Sequence, residues 1–222
     1  MTIAQPKLAA TRNHRREEIA DGCIHVLGLG LALGAAPILL YLSMVRTDGR
    51  HIFAIAIYAL GLILMLTCSA CFNMAPRSRH HEWLRRFDHA AIFLMIAGTY
   101  TPFLLARMGG PWGWGLLAFV WTTAIAGVGL VLIGAGRFQR FKLTTYLLLG
   151  WSIVAAPGPL KDSVAASAIA LLLIGGLLYS LGVVFHLWQR LSYHTAIWHG
   201  FVLVAASCHY AAVLLGVVLP TA

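Results

Sequence analysis

Long apolar runs separated by short polar stretches dominate this chain. A membrane-spanning helix needs about 20 mostly apolar residues to cross about 30 Å of hydrocarbon. Seven stretches meet that requirement, at residues 22–45, 51–73, 87–107, 112–134, 142–158, 164–187 and 195–219. The fifth is the weakest, because Pro157, Gly158 and Pro159 cut it short. The connections between runs are brief and leave no room for a soluble domain, and neither an internal repeat nor a low-complexity tract is visible. Ahead of the first run lies a polar arm, residues 1–20, carrying Lys7, Arg12, Arg15, Arg16, Glu17 and Glu18. The arm lacks the apolar core and small-residue cleavage site of a signal peptide, so the first helix is expected to drive insertion and to be retained. The pattern predicts an all-α polytopic membrane protein, with a cytoplasmic arm at 1–20 and a seven-helix transmembrane domain over 21–222.

Composition agrees. Of 222 residues, 60% are hydrophobic and only 10% charged, against about a quarter charged in soluble domains. The net charge of +9 does not point to nucleic acid, because the basic residues sit in clusters between apolar runs, where topology signals lie. Lys7, Arg12, Arg15, Arg16, Arg77, Arg79, Arg85, Arg86, Arg137, Arg140, Lys142 and Arg190 fall on one predicted side. Arg46, Arg50, Arg107 and Lys161 fall on the other. That excess of 12 over 4 predicts a cytoplasmic N-terminus and, with seven crossings, an external C-terminus. Trp83, Trp112, Trp114 and Trp188 sit near span ends, as an interfacial belt requires. A G-protein-coupled receptor would have its N-terminus outside. A retinal protein needs a lysine in its last helix, and Lys7, Lys142 and Lys161 are the only lysines. Cys23, Cys68, Cys71 and Cys208 all lie in apolar stretches and read as small buried hydrophobes.

Ionisable residues at membrane depth are costly and so mark candidate sites. Asp21 and His25 open the first helix, Ser69 and Asn73 close the second, Asp88 and His89 open the third, and Thr195 and His199 open the seventh. The predicted topology puts all four positions at the cytoplasmic end. Asp21/His25, Ser69/Asn73 and Thr195/His199 are i, i+4 pairs, each on one helix face, and Glu18 extends the first stripe. Any one of these residues alone would serve as a cap or a helix–helix hydrogen bond. Four helices contributing to one layer predict a functional polar cavity. His209, about 15 Å deeper at 1.5 Å per residue, is expected to bond between helices. Gly30 and Gly34 are spaced for close helix packing, Pro102 is expected to kink the third helix, and His80 and His81 belong to a loop.

The run Glu17-Glu18-Ile19-Ala20-Asp21, with His25 four residues on, resembles the first motif of the hemolysin III family, the bacterial branch of the progestin and adipoQ receptor group. Leu84-Arg85-Arg86-Phe87-Asp88-His89-Ala90-Ala91-Ile92, continued by Ile96 to Phe103, is similar to that family's third-helix signature. Ala196-Ile197-Trp198-His199-Gly200-Phe201-Val202-Leu203, followed by His209, is similar to its last helix. The resemblance implies seven helices in a bacterial plasma membrane with the N-terminus in the cytoplasm. It also implies a zinc site near the cytoplasmic face, held by three histidines with a Ser and an Asp nearby. Ser69 and Asp88 match the latter two and are the candidate catalytic pair. Two of the three ligand positions are changed, because Asn73 stands where the second helix should offer His and Thr195 replaces the first His of the last helix. His199 keeps its place. His194 is one residue too early, about 140° round the helix from His199, and would serve as a ligand only through a local π-bulge. Neutral Asn and Thr oxygens are poor zinc ligands beside imidazole, so the zinc site is expected to be partly lost, with Asp21, His25, Asn73, His89 and Thr195 as a polar cavity.

Three functions follow from the resemblance. The leading one is a lipid-linked sensor or membrane-homeostasis role with membrane lipid as the partner. The alternatives are a zinc-dependent, ceramidase-like hydrolase of lipid amides or esters, and a pore-forming cytolysin. A pore calls for a polar stripe along a whole helix, and none is seen.

Overall fold

A computed structural model describes residues 4–75, 79–134 and 138–219. Residues 1–3 of the arm, Arg77 and Arg137 of the orientation-setting charges, and residues 220–222 lie outside the described residues. The described residues form eight α-helices joined by short turns, with no strand among them. In chain order these are α1 (Ala4–Arg46), α2 (Gly49–Met74), α3 (His81–Thr101), α4 (Gly110–Leu132), α5 (Phe138–Gly150), α6 (Pro157–Ser163), α7 (Ala166–Leu187) and α8 (His194–Val213). The arm is therefore helical from Ala4 and continuous with the first span. Among the described residues, six helical stretches are long and apolar enough to cross a membrane: Arg15–Arg46, Gly49–Met74, His81–Met108, Gly110–Leu132, Ala166–Leu187 and His194–Val218.

Local chemistry sets the boundaries. Asp48 caps α2, its carboxylate accepting the His51 amide at 3.0 Å. Pro102 does not break α3. The backbone widens there into a π-helical turn over Pro102–Met108, which relieves the ring clash with the preceding turn while keeping the span continuous. Gly109 and Gly110, at φ 54° and 60°, then reverse the chain into α4.

The fifth apolar stretch is the one that differs from a single helix. It forms α5, a 3-10 turn at Ser152–Ala155, and α6, and α5 has only 13 residues. Contacts with α3 show how it runs. Tyr146 donates from its hydroxyl to the His89 carbonyl at 2.7 Å, Tyr100 to the Gly150 carbonyl at 2.7 Å, and Arg107 Nε to the Ser163 carbonyl at 3.2 Å. The partners advance together along both segments, so α5 and α6 lie parallel to α3 and the π-helical turn that continues it, from His89 to Arg107, a rise of about 27 Å at 1.5 Å per residue.

Packing neighbours close a ring: α1 on α2, α2 on α3, α3 on α5, α5 on α7, α7 on α8, and α8 back on α1. Helix α4 stands outside the ring against α3, where Gly127 leaves space for the Phe93 ring; a Cβ there would sit 2.6 Å from it. Leu27, Leu31, Phe53, Phe119, Leu177 and Val204 are all exposed on the outer surface. An apolar exterior of this kind suits hydrocarbon as its solvent, because a water-soluble protein rarely leaves such contiguous apolar area bare.

Candidate functional site: the polar end of an internal cavity

The helix ring surrounds a partly open cavity of about 350 Å³. Its walls come from α1, α2, α3, α5, α7 and α8, with no residue from α4. One end is polar, where His25, Ser69, Asn73, Asp88, His89, Thr195 and His199 all reach the wall. Beyond them the lining is mainly apolar, with Met65, Ile92, Ile96, Leu147 and Val202, and Tyr100, Trp151 and His209 bound its deeper part. Residues from the start of the first span and from the ends of α2, α3 and α8 therefore line one cavity, with Asp21 behind the wall.

Within that layer the closest contacts join the first and last helices. His199 Nδ1 lies 2.6 Å from Asp21 Oδ1, and His25 Nε2 lies 3.3 Å from Asp21 Oδ2. The His25 and His199 rings are 4.4 Å apart at 57°. Asp21, His25 and His199 are 8%, 4% and 9% exposed. His199 has an aligned partner, whereas His25 Nε2 is close to the carboxylate without hydrogen-bond alignment and has no other partner. Burial of an unmatched polar atom is disfavoured, so this nitrogen asks for an explanation.

The remaining predicted residues make other contacts. Asn73 turns its amide back on its own helix, donating to the Ser69 carbonyl at 2.9 Å and contacting Ser69 Oγ at 3.4 Å. Asp88 is within electrostatic reach of His25, His199 and Lys142. His89 receives the Lys142 ammonium, whose Nζ is 2.8 Å from Nδ1 and 3.0 Å from Nε2. His194 stays off the cavity wall. It is the first residue of α8, after Tyr193 at φ 61°, and α8 runs as a regular α-helix to Val213, without a bulge near its start. His209 makes the anticipated interhelical contact, Nε2 to the Leu172 carbonyl of α7 at 3.3 Å. Gly175 creates the space for its ring.

Among the basic and imidazole side chains of the cavity, Lys142 reads in the sequence as a topology signal and His186 lies within an apolar run. Both line the cavity, and an ionisable residue inside an apolar run was the available clue to His186.

The donors present decide where a metal ion fits. At positions 73, 195 and 199 only His199 offers imidazole, and Asn73 is committed to its own helix, so the three-histidine zinc site does not fit there. One ligand atom from each of Asp21, His25 and His199 lies within 4.8 Å of the others, a group able to hold a metal ion.

Comparison with known proteins agrees with the motifs. The family described as Haemolysin-III related matches residues 13–210. "Hemolysin-3" of Bacillus cereus is 37% identical over 207 residues, covering 93% of this chain and 94% of that protein. "Hemolysin-3 homolog" of Bacillus subtilis (strain 168) is 33% identical over 199 residues, covering 90% and 93%. The human "Monocyte to macrophage differentiation factor" is 30% identical over 165 residues, covering 71% and 67%, which extends the likeness to the progestin and adipoQ receptor group. No solved structure matches the chain. A match over nearly the whole chain, together with a helical bundle whose motif residues gather at one end of a shared cavity, means that this protein belongs to the Haemolysin-III related family.

Proposed function

We propose that this protein binds a single-chain membrane lipid in its internal cavity and acts as a lipid sensor or membrane-homeostasis factor. It does so as a seven-crossing bundle in the bacterial plasma membrane, with its N-terminus in the cytoplasm. The observation that carries the reading is the division of the cavity into a polar end and a mainly apolar body. That division complements an amphiphile's headgroup and tail, and the volume is at the small end of the roughly 300–1,000 Å³ of ligand pockets. The parallel course of the fifth segment along α3 supports a seventh crossing, and the 12-to-4 excess of basic residues supports the orientation.

The test uses delipidated protein in detergent and a spin-labelled fatty acid or lysophospholipid. Saturable binding near one per chain is expected. Ile96→Trp and Leu147→Trp, which fill the apolar body, should each weaken it at least about tenfold while melting within a few degrees of the parent. Absence of saturable binding, or binding indifferent to both substitutions, would sink the proposal.

Hydrolysis of a lipid amide or ester is the second reading, favoured by Ser69 and Asp88 on the polar wall. Zinc is the cofactor it would call for, as a Lewis acid. Asp88 would take or position a proton and Ser69 would orient the scissile group. Turnover of a lipid amide that Asp88→Asn abolishes would establish it. The cytolytic role carried in the relatives' names finds less support, since the polar lining gathers at one end of the cavity.

A further inference from the structure

The zinc positions expected of the family and the donors this chain provides do not coincide. We propose that a zinc-type divalent ion is held between the first and last helices by Asp21, His25 and His199, with His199 the one ligand kept from the expected set.

Several independent features converge on that point. The donor set, one carboxylate and two imidazoles, matches the nitrogen and oxygen ligands that zinc takes in three-ligand sites. The three ligand atoms already lie within 4.8 Å of one another. About a tetrahedral ion at roughly 2.0 Å, ligand atoms stand about 3.3 Å apart. The His25 Nε2 to Asp21 Oδ2 separation is 3.3 Å. His199 Nδ1 is hydrogen-bonded at 2.6 Å to the other carboxylate oxygen, Oδ1, and that bond would open as the carboxylate turned one oxygen to the ion. Hydrogen bonding alone accounts for His199 but not for His25, whose buried Nε2 has no aligned partner; a cation at this point supplies one. Charge closes the argument. Asp88 faces His25, His199 and Lys142 electrostatically from α3, so two carboxylates stand near the site against one ammonium, and a cation there meets net negative charge at membrane depth.

The ligands come from α1 and α8, whose sequence separation between Asp21 and His199 is 178. An ion here staples the two ends of the helix ring together. The proposal stands apart from the lipid reading, since metal uptake is measured without lipid.

The experiment measures metal per chain by elemental mass spectrometry on protein purified from zinc-replete medium. It then reloads the stripped protein with Co²⁺ and records its visible spectrum. About one metal per chain is expected, with a ligand-field spectrum of a nitrogen- and oxygen-ligated ion. Affinity should fall at least about tenfold in Asp21→Asn and His25→Ala and stay unchanged in Asn73→Ala and Thr195→Ala. A gain of signal guards against variants that simply misfold. Co²⁺-loaded Asp21→Cys should show a thiolate-to-cobalt charge-transfer band that the parent and Asn73→Cys lack. Failure of the parent chain to take up either metal would overturn the proposal. So would metal retained in both Asp21→Asn and His25→Ala, or a charge-transfer band in Asn73→Cys in place of Asp21→Cys.

Discussion

Asp48 carries its effect in one side chain outside the spans. It accepts the His51 amide and sits 2.8 Å from His51 Nδ1, and these bonds hold its carboxyl below the ordinary value of 3.8, at about 2. The bonds favour the ionised form. Because the folded value is depressed, the stabilisation is complete above about 4 and is lost as pH falls toward 2. The melting difference between the parent and Asp48→Ala should therefore shrink over that interval; a difference constant from pH 4 to 2 would show that the cap bond does not depend on the charge. An Asp just before an apolar run is the local signal of such a cap. The pairing of Asp21 with His25 was readable too, because four residues make one helix turn. The partnership of Asp21 with His199 was not, since it depends on α1 packing against α8, and no local period encodes that.

At the scale of the element, the fifth segment shows where pattern stops short. Pro157, Gly158 and Pro159 announced an interruption, yet α5 already ends at Gly150. The reason is a partner on another helix. The Tyr100 hydroxyl contacts the Leu149 and Gly150 carbonyls at 3.0 and 2.7 Å and accepts the Ile153 amide at 2.9 Å. It thereby meets backbone groups that a continuing helix would have bonded internally, which the apolar interior otherwise demands. Tyr100→Phe should cost about 1–3 kcal/mol, the penalty for stranding buried polar groups. Tyr210→Phe, which removes one hydroxyl bond to the Ala35 carbonyl at 2.9 Å, should cost less, about 0.5–1.5 kcal/mol. Thermal melts of the two variants side by side provide the check, and equal losses would mean that Tyr100 has no special part in supporting the break.

For the whole molecule, the number of crossings decides which compartment each loop meets. If α5 and α6 together cross, Asp162 is external, Arg190 is cytoplasmic, and the C-terminus is external. If they return to the side they left, all three assignments invert. The structure gives a physical reason for the first arrangement, since the segment keeps pace with α3 from the Tyr146–His89 contact to the Arg107–Ser163 contact. Those two contacts bracket about 27 Å of helix rise, close to the roughly 30 Å of a hydrocarbon core. The charges agree, because crossing places Arg190 with Arg85, Arg86 and Lys142 on the side rich in basic residues. A chain in which Cys23, Cys68, Cys71 and Cys208 are replaced by Ala allows a direct reading. Asp162→Cys should react in intact cells with a thiol reagent that cannot enter the cytoplasm, and Arg190→Cys should react only after the membrane is opened. The reverse pattern would reduce the bundle to six crossings, whereas the forward one places Asp21 near the start of the first span, and Asp88 and His199 near the starts of α3 and α8, at the cytoplasmic face.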